Sequence, residues 1–102
     1  MKLTVTDDQR LRVTELKELV AGNASQLREE VRISFQADWR GVDIDLSQTS
    51  FVDSSGLGAL IALHKALRAQ NANLRLVNPS ASAMQVIELT RLHQFFEIVP
   101  AK

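Results

Sequence analysis

The chain has no cysteine, no tyrosine and a single tryptophan among its 102 residues. Without cysteine there is no disulfide framework, no thiolate metal site and no thiol nucleophile. Net charge is also missing: twelve Lys plus Arg balance twelve Asp plus Glu, so no overall field favours nucleic acid or an anionic membrane surface as a partner. No stretch approaches the roughly 20 apolar residues of a spanning helix. The start, Met1-Lys2-Leu3-Thr4-Val5-Thr6-Asp7-Asp8, carries no leader-like apolar run. Nucleic-acid binding and direct membrane insertion are therefore not expected, and the expected location is cytoplasmic. With two prolines and four glycines, the chain shows no linker, repeat or low-complexity tract. A length of this order suits one core, and 1–102 is read as a single domain. What is present, 45% apolar and 24% charged residues, lies far from the composition of disordered chains.

Hydrophobic spacing divides the chain into alternating elements. Leu3-Thr4-Val5 and Arg10-Leu11-Arg12-Val13-Thr14 alternate about Asp7-Asp8-Gln9, which predicts an antiparallel hairpin. From about Asn23 the period lengthens. Ala24, Leu27, Val31, Phe35 and Trp39 recur at three and four residues, predicting an amphipathic helix that Gly41 ends. Val42, Ile44 and Leu46 then alternate with Asp43 and Asp45, a strand with carboxylates on one, solvated, face. The short apolar pair Phe51-Val52 leads into a helix from about Ser54 to Ala69, with Leu57, Leu60, Ile61, His64 and Leu67 on one side. A strand Leu74–Val77 follows, then a helix capped by Ser80 with Met84, Ile87 and Leu92 inward, and a last strand within Phe95–Val99. The expected fold is α/β: a mixed sheet of four to five strands, an N-terminal hairpin and then helices alternating with parallel strands.

In such sheets, functional groups gather where strands run into helix N-termini. Asp53-Ser54-Ser55-Gly56 occupies that position. Gly56-Leu57-Gly58 invites a dinucleotide-binding reading, but the third glycine position is Ile61 and the segment follows fifty residues of chain. A serine nucleophile fares no better. The Gly-x-Ser-x-Gly elbow is absent, and His64 is ten residues along the same helix, roughly 15 Å from Ser54 at 1.5 Å per residue. Asp43, Asp45 and Asp53 lack the regular spacing of a cation loop. Neither an enzyme nor a metal protein is expected. Two readings of the serines remain. Either Asp53 or a serine is simply an ordinary cap for the helix start, or the oriented N–H groups and helix dipole there accommodate a phosphoryl group on a serine. Between Gly41 and Leu63 the sequence holds three acids, Asp43, Asp45 and Asp53, and no base. Added phosphate charge would find no cation nearby and would repel a partner complementary to an acidic surface.

Val42-Asp43-Ile44-Asp45-Leu46, followed by Ser50-Phe51-Val52-Asp53-Ser54-Ser55-Gly56-Leu57-Gly58, resembles the signature of STAS domains, the family of bacterial anti-sigma factor antagonists and of sulphate-transporter cytoplasmic domains. The similarity extends over about residues 10 to 100. It implies a phosphorylation-regulated interaction module. The unphosphorylated form binds an anti-sigma factor with serine kinase activity, phosphorylation at Ser54 releases it, and a PP2C-type phosphatase reverses the change. By the same resemblance Asp53 is the motif aspartate, and Asp53, Ser54, Ser55, Gly56, Leu57, Gly58 and Asp45 form the partner-binding set. No cofactor is implied, since the ATP belongs to the kinase. Two departures stand out. Lys17-Glu18-Leu19-Val20 replaces the Gly-Glu-Leu-Asp common in the family, so a loop aspartate becomes Val20. Asn71-Ala72-Asn73 replaces a glycine pair, although asparagine tolerates the left-handed backbone. The alternative reading is a STAS regulatory subunit of a membrane lipid ABC transporter complex that uses the same surface without phosphate turnover.

Overall fold

The N-terminal alternation forms the hairpin it predicts in a computed structural model that describes residues 1–100. β1 (Lys2–Val5) and β2 (Arg10–Thr14) pair antiparallel, Leu3 opposite Val13 and Thr4 opposite Arg12. A two-residue strand, β3 (Glu18–Leu19), precedes helix α1 (Ala21–Ser34). Then come β4 (Gly41–Asp45), a second two-residue strand β5 (Phe51–Val52), and helix α2 (Ser54–Arg68). β6 (Asn73–Val77), helix α3 (Ala81–Leu89), a 3-10 turn at Leu92–Gln94 and β7 (Glu97–Val99) complete the described chain. The main sheet has the order β1-β2-β4-β6-β7 and is parallel beyond the hairpin, while β3 and β5 form a separate parallel pair.

Strand alternation sorts the main sheet into two faces. Val42, Ile44 and Leu46 of the β4 segment are fully buried with Leu74 and Leu76 of β6, against Leu27 of α1 and Leu60 of α2. The opposite face is polar, and here the expectation of a solvated Asp43 is corrected. Asp43 is only 2% exposed. Its Oδ1 accepts from Arg10 Nε at 2.7 Å and from Arg75 Nε at 2.8 Å, and its Oδ2 accepts from Arg75 Nη2 at 2.7 Å. Burial pushes the Asp43 carboxyl up, but the Arg75 and Arg10 bonds outweigh it and hold the group below its ordinary 3.8. These arginines come from β2 and β6, which pair with β4 on either side.

Three other expectations shift. α1 stops at Ser34, and Trp39 lies beyond it in a bend, its ring edge-on to Phe35 at 5.9 Å. Phe35 has an extended backbone, so the helical spacing runs on in the sequence after the helix has ended. Gly41 does not end the helix; it begins β4. A Cβ there would lie 2.0 Å from the Asn73 carbonyl oxygen and 2.8 Å from Arg10 Nη2, so the bare backbone is what lets Arg10 cross the sheet to Asn73. Leu92 is in the 3-10 turn rather than in α3. Ser80 caps α3 as expected, accepting from the Ala83 N–H, and Asn71 adopts a φ of 60° in the turn before β6.

Candidate functional site

The site is assembled by two stretches of backbone that run side by side. Thr49 Oγ1 donates to the Leu16 carbonyl and Ser50 N–H to that of Lys17, β5 then pairs with β3, and Asp53 N–H donates to the Leu19 carbonyl. This ladder delivers both chains to helix starts together, since α1 begins at Ala21 and α2 at Ser54.

Asp53 is the N-cap of α2, and the open choice between aspartate and serine as cap is resolved. Its backbone is extended, and its Oδ1 accepts from the Gly56 N–H at 2.8 Å. Its other oxygen crosses to the neighbouring helix, where Oδ2 accepts from the Ala21 N–H at 3.0 Å. Val20, the N-cap of α1, has no side-chain acceptor to offer. The α1 start is held instead by Asp53 and by Asn23, whose Oδ1 accepts from Val20 N–H while its Nδ2 donates to the Glu18 carbonyl. Hydrogen bonds to the charged form, from Gly56 first and Ala21 after it, hold the Asp53 carboxyl below its ordinary 3.8.

Ser54 and Ser55 occupy the first two positions of α2 and are both exposed. Gly58 lies four and three residues beyond them, so the three share one face of the helix. The two glycines differ. A Cβ on Gly56 would lie 2.2 Å from the Leu19 carbonyl oxygen, so glycine there lets α2 meet β3; a Cβ on exposed Gly58 would meet nothing within 4 Å.

Of the partner-binding set, Asp53, Ser54, Ser55 and Gly58 reach one surface, with Gly56 and Leu57 buried beneath it. Asp45 stands apart. It belongs to the polar sheet face, where Arg12 Nη2 donates to its Oδ2 at 3.2 Å and Ser47 N–H to its Oδ1 at 2.8 Å. The three acids close in sequence are thus not one acidic patch: Asp43 and Asp45 are paired with arginines across the sheet, leaving Asp53 as the carboxylate beside the serines. Nor do the three converge as cation ligands, and His64 packs on Phe95 with ring centroids 4.5 Å apart. Sequence reasoning missed the contribution of α1. The one signal was Val20, a helix-start position without a capping oxygen.

This chain belongs to the STAS domain family, whose model matches residues 4–101. An anti-sigma-B factor antagonist of Listeria monocytogenes is 30% identical over 81 residues, covering 79% of this chain and 71% of that protein. Its counterpart in Listeria innocua matches to the same extent. Among solved structures, a candidate anti-sigma factor antagonist from Thermotoga maritima has a TM-score of 0.88 at 24% identity, over 98% of this chain and 86% of that one. The anti-sigma factor antagonist SpoIIAA in its unphosphorylated form has a TM-score of 0.76 at 22% identity, over 99% and 88%. At these identities the two structures show a shared fold. Among the described residues, no helix is long and apolar enough to cross a membrane.

Proposed function

We propose that this chain is an anti-sigma factor antagonist whose binding is switched at Ser54. Unphosphorylated, it binds an anti-sigma factor with serine kinase activity; phosphorylated, it is released, and a PP2C-type phosphatase restores it. In the transfer, Ser54 Oγ bonds to the γ-phosphorus of ATP, the bond from that phosphorus to the ADP oxygen breaks, and the hydroxyl proton passes to a base of the kinase. The observation that carries the reading is that Asp53, not a serine, caps α2, which leaves an exposed hydroxyl at the first helical position free for modification. The named role of the Listeria relatives supports it.

The physical chemistry agrees. A phosphoryl group adds about −1.5 to −2 charges at neutral pH, and a helix N-terminus favours negative charge, so the domain stays folded. The new charge stands beside the Asp53 carboxylate on an exposed face, where a partner fitted to the neutral serine meets two anions. Release follows from that local change, since Asp43 and Asp45 are paired elsewhere. Incubation with a candidate anti-sigma kinase and ATP, followed by peptide mass mapping, tests the assignment. One phosphoryl group is expected on Ser54, lost in Ser54→Ala and kept in Ser55→Ala. Label that persists in Ser54→Ala overturns it.

A further inference from the structure

One ionised group ties the two helix starts together. Asp53 Oδ1 holds the Gly56 N–H of its own helix, and Oδ2 holds the Ala21 N–H of α1. Both bonds are charge-assisted and therefore stronger than neutral ones. They are not equally supported. Gly56 lies three residues along the same chain, whereas Ala21 is 32 residues away and its helix has no capping side chain at Val20. A phosphoryl group on Ser54 sets a second anion against the Asp53 carboxylate. Repulsion between the two anions is relieved by movement of the carboxylate oxygen that is not held within its own helix turn, so the contact reaching across to Ala21 yields first while the local cap on Gly56 stays.

We propose that Asp53 is the positioning residue through which the phosphorylation state of Ser54 reaches the start of α1. The unmodified chain holds Ala21 against Asp53; phosphorylation detaches it and frees Val20–Gly22 from α2. This rests on Ser54 being the phosphoacceptor and deepens that reading: a partner that contacts both helix starts loses part of its surface as well as meeting a new charge.

The test uses the full chain with phosphoserine inserted at position 54 during translation, so no kinase is needed. NMR follows the backbone amide protons of Ala21 and Gly56 through the carboxylate pH range, well below the phosphate titration near about pH 6. In the unmodified chain both amides are expected to titrate with one midpoint, because one carboxylate holds both. In Asp53→Asn neither should titrate, and Asp53→Ser, which keeps a cap for α2, serves if the first variant does not fold. With phosphoserine at position 54, the Ala21 response is expected to be lost while Gly56 keeps its own. An Ala21 amide that titrates identically in both forms overturns the coupling, whatever kinases do to Ser54. Absence of kinase labelling at Ser54, with the Ala21 response still lost in the phosphoserine chain, overturns the proposed function and leaves the coupling standing.

Discussion

Gly56 and Gly58 sit two residues apart in α2 and answer opposite demands. In a helix interior glycine costs roughly 0.5–1 kcal/mol relative to alanine, through backbone entropy alone. At Gly56 the fold requires it, because the Leu19 carbonyl oxygen lies 2.2 Å from where a Cβ would be. At Gly58 nothing in the fold does. Gly56→Ala is therefore expected to destabilise by about 1–3 kcal/mol, the usual cost of overpacking, and Gly58→Ala to stabilise by up to about 1 kcal/mol. Urea unfolding of both variants checks this, and changes of the same sign would contradict the account. The sequence offers the two glycines alike, as the ends of Gly56-Leu57-Gly58. What separates them is a carbonyl on another strand, and no local pattern carries that. Asp53 follows the same logic: its role as cap of α2 is legible from composition, whereas its second bond, to Ala21, depends on the β3–β5 pairing.

At the scale of elements, the two ends of α2 behave differently. Its start presents the serines; further along, His64 packs on Phe95 and Phe96, with a buried Nδ1 that has no hydrogen-bond partner. Burial first, and the Arg68 charge second, hold the His64 imidazole below its ordinary 6.5. The unfolded chain therefore takes up this proton at a higher pH than the folded one. The contribution to stability is full above 6.5 and falls as pH drops through 6.5 toward the lower folded value. Urea midpoints measured between about pH 7.5 and 5.5 should decline in the wild type and decline less in His64→Phe. Equal slopes would contradict the assignment.

Long periodic elements were the legible ones: the hairpin, α2 and β6 lie where spacing puts them, within a residue. β3 and β5 have two residues each, too few to show a period, and they are the strands that bring the site together. Alternation correctly turned Asp43 and Asp45 away from the core. It could not see Arg10, Arg12 and Arg75, which lie 32 or 33 residues away in sequence and beside β4 only once the sheet forms. An acidic run in the sequence is thus a neutralised face in the fold.

For the whole molecule, that neutralisation changes how a phosphate switch works. In the proposed switch, charge added at Ser54 would not join a broad acidic field, because Asp43 and Asp45 are paired with arginines; it would act on Asp53 and on a partner docked at the junction of the two helix starts. The core lies on the other side of α2 from the serines, with Leu57, Leu60 and Leu63 buried, so the domain can carry either state without repacking. The central claim is that unmodified Ser54 permits partner binding and phosphorylated Ser54 abolishes it. The direct measurement is calorimetric titration of the anti-sigma kinase with the unmodified chain and with the chain carrying phosphoserine at position 54. Like charges set together at an interface cost several kcal/mol, so affinity is predicted to fall by about 100-fold or more. Equal affinity for the two forms would contradict the account.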